Sequence, residues 1–224
     1  MNAIAPQAIP DSIPYVIQNL KAVYGVPKPD VGLDPLDVLI GTILSQSTTN
    51  VNSHRAFDKL KRRFTTWELA RRARTTSIEA AIRSGGLAHQ KAIRIKQLLN
   101  EIHRRLNSLD LSFLAKAPLA EAKEFLASFK GVGPKTVACT LLFACHRPVF
   151  PIDVHIFRIG RRLGLIPEKC SDDQAHRMME RMIPKTRFYE VHVNLIRHGR
   201  TICRPQNPLC EQCCIVDYCE FYHA

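Results

Sequence analysis

Apolar residues recur along most of this chain at the three- and four-residue spacing of an α-helix. In the clearest case the apolar side chains would share one helical face, and they are Leu36, Leu39, Ile40, Ile43 and Leu44. Asp34 is a suitable N-cap and Pro35 suits the first helical position, so we predict a helix from residue 35 to about 46. No segment shows the alternation typical of a strand, which predicts an all-α fold.

Start and stop signals predict further helices. Thr76 and Glu79 have the spacing of a capping box that opens a short helix, which Gly85 and Gly86 would end. The other predicted helices cover residues 89–106, 118–129, 134–145, 154–163 and 191–200, together with one capped by Ser171 and Gln174. No linker rich in Gly or Ser separates them, so any two domains must pack closely.

Composition and charge point to a nucleic acid partner. The 224 residues, 46% of them hydrophobic, suffice for one substantial core or two small domains. The 32 Lys and Arg exceed the 20 Asp and Glu and give a net charge of +12, which favours a polyanion. Residues 55–105 hold fourteen of the basic residues. A solvated helical surface explains any one of these charges, so only their sum argues for DNA.

The sequence suggests neither a membrane span nor export. The longest nearly apolar run, residues 136–145, is about half of the roughly 20 residues that a membrane helix needs. Residues 1–17 do not combine a basic start, an apolar block and a small-residue cleavage site, as an export signal would. We therefore expect a cytoplasmic, nucleoid-associated protein.

A glycine-rich turn joins two predicted helices at residues 129–136. Gly131 and Gly133 let the backbone turn, and exposed N–H groups of the turn and of the helix that Pro134 starts can bind a phosphate. This pattern is typical of a helix-hairpin-helix motif, although a simple helical hairpin shows it too. Lys135 lies in the first turn of that helix, where the helix dipole and partial burial disfavour an ammonium, so its amine is a candidate nucleophile.

Asp153 follows Lys135 by eighteen residues. Its carboxylate can serve as the N-cap of the helix that begins at Val154, or it can stabilise positive charge in a reaction. The two roles do not exclude each other. His155, in the same segment, can contact a phosphate or the substrate, or it can make a helix-terminal hydrogen bond.

Four cysteines near the C-terminus have the spacing of a metal site. Cys203, Cys210, Cys213 and Cys219 follow the pattern C-x6-C-x2-C-x5-C, which lets four thiolates converge. Without an export signal disulfides are not expected, which leaves zinc or an iron–sulfur cluster, and spacing does not separate the two. We interpret Cys214 as a bystander beside these ligands.

The three motifs together resemble the endonuclease III family of DNA glycosylases, over about residues 34 to 222. The resemblance rests on Gly131-Val-Gly-Pro-Lys135-Thr, on Ile152-Asp153-Val-His155 and on the four cysteines. It implies that Lys135 attacks the sugar C1′ and holds the sugar as a Schiff base, that Asp153 assists, and that the cysteines hold a [4Fe-4S] cluster. Monofunctional adenine glycosylases are a poorer match, since they carry a glutamate in the early helix where this chain has Gly41-Thr42-Ile43.

The family must also open the duplex, and two segments match the parts that do so. Leu87, at a loop tip, matches the wedge that fills the hole, although it could instead tuck back onto its own helices. The segment after the first helix departs from the family, because Ser47 aligns with the probing glutamine and Asn50 with a nearby aspartate, which leaves Gln46 one place early. The suggested DNA-contact residues are Gln46, Ser47, Thr48, Asn50, Leu87, His89, Lys91, Gly131, Gly133, Thr136 and His155.

The resemblance implies two helical domains flanking a DNA-binding cleft. We expect a six-helix barrel with the helix-hairpin-helix at residues 29–147, and a cluster domain formed by residues 1–28 and 148–224. The expected activity is excision of a damaged, oxidised pyrimidine from duplex DNA followed by strand cleavage, performed by a monomer. A mismatch- or methylcytosine-type glycosylase and a non-catalytic DNA-binding relative remain as alternatives.

Overall fold

A computed structural model describes residues 10–224, so most of the segment inspected for an export signal, residues 1–9, lies outside the described residues. Helices account for all regular structure in the described part of the chain, which confirms the all-α fold. They are α1 Ser12–Tyr24, α2 Pro35–Ser45, α3 Asn50–Arg63, α4 Trp67–Arg72, α5 Thr75–Ile82, α6 Ala88–Leu106, α7 Leu119–Ala127, α8 Pro134–Cys139, α9 Val154–Arg162, α10 Asp172–Met182, α11 Phe188–Thr201 and α12 Glu220–His223.

The chain forms two compact units. The central unit is Asp30–Arg147, and the terminal unit combines Met1–Pro29 with Pro148–Ala224. The central unit contains α2 to α8, and α2 packs against α3, α6 and α8. In the terminal unit α11 packs against both α1 and α9.

Helix α2 is the core of the central unit. All five apolar residues of its predicted face are fully buried, at 0% exposure. Burying each such side chain stabilises the fold by about 1.5–3 kcal/mol. Asp34 caps the helix as predicted, since its Oδ1 accepts the backbone N–H of Asp37 at 2.9 Å. The sequence therefore defines both the start of α2 and its buried face.

The predicted capping box at Thr76 is wrong. Helix α5 begins at Thr75 with Arg74 as its N-cap, and the N–H groups of Ser77 and Ile78 donate to the Arg74 carbonyl. Thr76 thus lies within the first turn, where its hydroxyl cannot cap the helix. The box predicted from Ser171 and Gln174 is confirmed at the start of α10, with both reciprocal hydrogen bonds present.

Several helix boundaries differ from the predicted ones. The helix predicted at 134–145 is α-helical only to Cys139 and continues as a π-helix over Thr140–Ala144. Helix α7 ends at Ala127 rather than at residue 129, and α11 begins at Phe188, three residues before the predicted start. Helices α1, α3, α4 and α12 were not predicted. In α3 the buried residues are Ser53, Ala56 and Leu60, so two of the three are too small or too polar to give an apolar pattern.

Candidate active site and DNA-contact segments

The turn before Lys135 is anchored on one side and open on the other. Phe129 and Val132 are buried, and the N–H of Val132 donates to the Phe129 carbonyl at 3.1 Å. Gly131 has a φ of +83°, a conformation that strains any residue with a side chain. Gly133 is the N-cap of α8, is exposed and has open space where a Cβ would stand. The turn therefore presents backbone to solvent at both glycines.

Lys135 is the second residue of α8, directly after Pro134, and is half-buried. This is the position that the sequence predicted for it. Thr136 is different, because its side chain is only 3% exposed and its backbone N–H donates to the Gly133 carbonyl at 2.9 Å. We therefore withdraw Thr136 from the suggested DNA contacts, since its hydroxyl belongs to the core of the central unit.

Asp153 is the N-cap of α9 in the terminal unit. Its Oδ1 accepts the backbone N–H groups of His155 and Ile156, each at 2.9 Å. His155 is half-buried, and its Nδ1 lies 3.2 Å from Nη2 of Arg158. Arg158 in turn donates to the carbonyls of Gly199 and Cys203, both at 2.8 Å, so α9 is tied to the cysteine segment.

Two loops of the central unit meet at residues with left-handed backbone. Leu87, just before α6, has a φ of +48° and is 54% exposed, so it does not tuck back onto its helices. Ser47, just after α2, has a φ of +52° and is exposed. A Cβ on Gly86 would lie 4.0 Å from the Ser47 carbonyl oxygen and 3.9 Å from Oγ1 of Thr48, so the two loops lie side by side.

Of the other residues suggested around these loops, His89 and Asn50 are exposed and Thr48 is half-buried, and one residue is an exception because it is buried. His89 exposes 70% of its side chain and pairs with Glu79 at 2.9 Å. Asn50 is exposed at the first position of α3, which Thr49 caps. Lys91 is the exception, because it is 2% exposed and its Nζ donates to the carbonyls of Leu44 at 2.7 Å and Gly85 at 2.8 Å. We correct its assignment from a DNA contact to an internal one.

Gln46 is bound to other protein groups at both ends of its amide. Its Oε1 accepts from Nη1 of Arg94 at 2.6 Å, and its Nε2 donates to the Gly131 carbonyl at 3.5 Å. Arg94 also packs on Gly131, where a Cβ would lie 2.5 Å from its Nε. Sequence reasoning missed Arg94, since one arginine in a basic helix carries no local signal of a partner.

The four spaced cysteines lie in a segment with nitrogen donors beside two of their sulfur atoms. Nη1 of Arg162 lies 3.2 Å from Sγ of Cys203, and Nε2 of His198 lies 3.4 Å from Sγ of Cys213. Burial raises the pKa of the Cys213 thiol to about 11, and the neighbouring thiols of Cys214, Cys203 and Cys219 add to the rise. Cys210 and Cys203 are half-buried, whereas Cys219 is buried.

The sulfur atoms of the four spaced cysteines do not form a metal-binding arrangement in the described part of the chain. Across residues 10–224, no three His, Cys, Asp or Glu side chains stand close enough together to hold a metal ion. The chemistry of the donor set nevertheless fits a thiolate-ligated group, since all four cysteines are free and the Arg162 N–H donor at Cys203 would stabilise negative charge on sulfur. Within the part of the chain that the structure describes, no helix has both the length and the hydropathy needed to cross a membrane.

Comparison with known proteins finds relatives of this chain among DNA repair proteins. Residues 40–185 match the HhH-GPD superfamily of base excision DNA repair proteins. A putative DNA glycosylase from Arabidopsis thaliana is 41% identical over 168 residues, which cover 75% of this chain and 57% of that protein. Endonuclease III from Thermotoga maritima is 30% identical over 189 residues, or 84% of each chain. This chain thus spans somewhat more than half of the plant relative and most of the bacterial one.

The fold is also similar to that of a solved protein. A trapped covalent intermediate of endonuclease III with DNA superimposes with a TM-score of 0.82, covering 95% of this chain and 96% of that chain. The two sequences are 24% identical, so this likeness concerns the fold alone.

Proposed function

The chain belongs to the endonuclease III family of base excision DNA glycosylases, within the HhH-GPD superfamily, and we propose that it excises a damaged base and then cleaves the strand at the abasic site. The observation that carries this proposal is Lys135, half-buried in the first turn of α8 and directly after the open Gly131–Gly133 turn. The turn offers backbone N–H groups to a phosphate, and the lysine supplies an amine next to it.

Lys135 would perform both chemical steps. Its amine lone pair forms a bond to the sugar C1′ while the glycosidic bond breaks, and the base leaves with that bond's electrons and takes a proton from water. The ring oxygen O4′ then leaves C1′ and takes a proton from the amine nitrogen, which gives an iminium and acidifies C2′. The C2′ proton passes to water, the 3′ phosphate departs with the electrons of its C3′–O bond to cleave the strand by β-elimination, and water then hydrolyses the imine and frees Lys135.

Asp153 would stabilise the positive charge that develops on the sugar as the base departs. Its backbone is fixed as the N-cap of α9, and both capping bonds use Oδ1, which leaves Oδ2 for a second interaction. A carboxylate held in place by its own helix needs little reorganisation when charge appears, which is the condition for effective electrostatic stabilisation.

Leu87 would fill the space that the extruded nucleotide leaves. An exposed leucine at a φ of +48° loses both hydrophobic burial and backbone stability, so its position is best explained by a role outside the folded core. Ser47, beside the same loop, would then face the opposite strand together with Thr48, Asn50 and His89.

Cys203, Cys210, Cys213 and Cys219 would hold a [4Fe-4S] cluster, with Arg162 donating to the sulfur of Cys203 and the His198 ring beside that of Cys213. When bound, the cluster would serve as a fixed scaffold and not as an electron carrier, because base excision transfers no electrons. Arg158 lies on α9, the helix that Asp153 caps, and connects that helix to the cysteine segment by donating to the Cys203 carbonyl.

The substrate we propose is duplex DNA with an oxidised pyrimidine, handled by a monomer in the cytoplasm at the nucleoid. A mismatch- or methylcytosine-type activity on the same scaffold is the alternative, because Ser47 and Asn50 depart from the family in the segment that probes the opposite base. Excision from a panel of duplexes, each pairing one altered base with one opposite base, separates these substrates.

Borohydride trapping tests the central claim. The protein is incubated with duplex DNA that carries an abasic site, with borohydride present, and we expect a covalent protein–DNA adduct that is lost in Lys135→Gln. Lys116→Gln, which removes an exposed lysine elsewhere in the same unit, is the matched control and keeps the adduct. If the wild type formed no adduct, the protein would be a DNA-binding relative without lyase chemistry.

A further inference from the structure

Two basic residues on α6 join three segments of the central unit that the proposed function assigns to DNA. Lys91 and Arg94 are three residues apart, so they share one face of the helix. The segments are residues 44–50 at the end of α2 and beyond it, residues 85–88 leading into α6, and the turn at residues 129–133. We call Lys91 and Arg94 together the α6 clamp.

Lys91 holds the first two segments together. Its buried ammonium donates to the Leu44 carbonyl at the end of α2 and to the Gly85 carbonyl just before Leu87. Burial, and secondarily the charge of Arg94, lower the pKa of Lys91. A cation is costly to bury unless it is hydrogen-bonded, and here two carbonyl oxygens from different segments supply the bonds. Both segments must therefore keep their positions for the ammonium to be satisfied.

Arg94 joins the first segment to the third. Its Nη1 donates to Oε1 of Gln46 at 2.6 Å, while its side chain lies on Gly131 in the space that a Cβ would need. Gln46 completes the connection by donating to the Gly131 carbonyl. Gln46 directly precedes Ser47, so fixing Gln46 also sets the direction in which Ser47 leaves α2.

We infer that Lys91, Arg94 and Gln46 are positioning residues, which hold the opposite-strand segment, the Leu87 loop and the phosphate-binding turn in one fixed arrangement before DNA arrives. Gln46 accordingly does not read a base, because both ends of its amide are engaged within the protein. The inference rests on the proposed function for the roles of the three segments. Preorganisation of this kind strengthens binding, since the ordering of the loops is completed in the free protein.

Hydrogen exchange in the free protein tests the clamp without any DNA chemistry. In Arg94→Met we expect faster exchange in peptides covering residues 46–50 and 130–134, with residues 85–90 unchanged. In Lys91→Met we expect faster exchange in residues 44–48 and 85–90, with 130–134 unchanged. Arg104→Met is the matched control, because Arg104 lies on the same helix, exposes 70% of its side chain and pairs with Glu101 at 2.7 Å. It should resemble the wild type throughout.

Binding supplies the second measurement. For duplex DNA with a stable abasic-site analogue, Arg94→Met should bind about tenfold more weakly than Arg104→Met, as expected for the loss of one charged hydrogen bond. Gln46→Glu should bind more tightly than Gln46→Leu, because its carboxylate still accepts from Arg94 although it cannot donate to the Gly131 carbonyl, whereas Gln46→Leu should match Arg94→Met.

Two results would overturn the inference. One is equal exchange in Arg94→Met and Arg104→Met, and the other is loosening of the whole unit rather than of the segments that each residue contacts. If Lys91→Met does not fold, Arg94→Met and the Gln46 variants are sufficient to test the inference. Failure of the proposed function would appear separately, as a wild type that forms no borohydride adduct while the exchange pattern is as expected.

Discussion

Oδ1 of Asp153 accepts the backbone N–H of Ile156 at 2.9 Å, and the same oxygen accepts the N–H of His155. The cap of α9 therefore depends on one oxygen atom and not on the negative charge of the carboxylate. Asparagine caps helices about as well as aspartate, because its side-chain oxygen accepts the same bonds. Charge and cap can thus be separated by a single substitution.

We expect Asp153→Asn to reduce base excision by about 100-fold or more, since it removes the charge that opposes the developing positive sugar. The melting temperature should fall by no more than about 2–4 °C, the equivalent of about 1 kcal/mol in a chain of this size. Single-turnover excision on duplex DNA and thermal unfolding measure the two effects. Asp34→Asn changes the N-cap of α2 in the same way and should excise at the wild-type rate. Wild-type excision by Asp153→Asn would remove the residue from the chemistry.

Leu87 offers a prediction in which stability and function change in opposite directions. Its φ of +48° costs about 1–2 kcal/mol for a residue with a side chain, and its side chain is half exposed. Leu87→Gly relieves that cost, so we expect an unchanged or higher melting temperature together with weaker capture of lesion-containing duplex. Leu87→Ala should weaken capture with little change in melting temperature. A large drop in the melting temperature of Leu87→Ala would show instead that Leu87 is a core residue.

The two glycines of the turn should respond differently to the same substitution. At Gly131 a methyl group meets both a φ of +83° and the Arg94 side chain, so Gly131→Ala should lower the free energy of unfolding by about 1–3 kcal/mol. Gly133 has a φ of −91° and open space around it, so Gly133→Ala should fold normally. Chemical denaturation of both variants measures the difference. Equal stability of the two proteins would contradict the close contact between Gly131 and Arg94.

The sequence predicted those features that depend on neighbouring residues, such as helix caps and the buried face of a helix. The Asp34 cap, the Ser171 and Gln174 box, the buried face of α2 and the position of Lys135 at the start of α8 all follow from residue type and spacing. The failed capping box at Thr76 has the same kind of signal. There the helix starts two residues earlier, because the Arg74 carbonyl already accepts the first N–H groups.

Tertiary environment explains the misassigned site residues. Lys91 and Thr136 stand in segments that otherwise fit DNA contact, and only the packed structure shows that both side chains are buried. Gln46 looks like a displaced probing residue until Arg94, 48 positions away, is seen to hold its amide. Neither burial nor a distant partner leaves a trace in the spacing of neighbouring residues, so sequence reasoning could not have found the α6 clamp.

The cysteine segment gives the last prediction, in which adjacent cysteines serve as variant and control. If Cys203, Cys210, Cys213 and Cys219 hold a [4Fe-4S] cluster, the purified protein absorbs broadly in the visible range, which zinc does not because its d shell is full. Cys213→Ser should lose most of that absorbance and the iron and sulfide measured by chemical analysis. It should also lower the melting temperature, because four thiolates would no longer close the segment.

Cys214→Ser is the control, since Cys214 is next in sequence, is equally half-buried and lies outside the spacing pattern. The backbone carbonyl of Cys214 accepts a hydrogen bond from Asn19 at 2.9 Å, and the serine variant keeps that bond. We expect it to retain full iron content and absorbance. Loss of iron in Cys214→Ser with retention in Cys213→Ser would reassign the ligand, and a colourless wild type that contains zinc would replace the cluster with a zinc site.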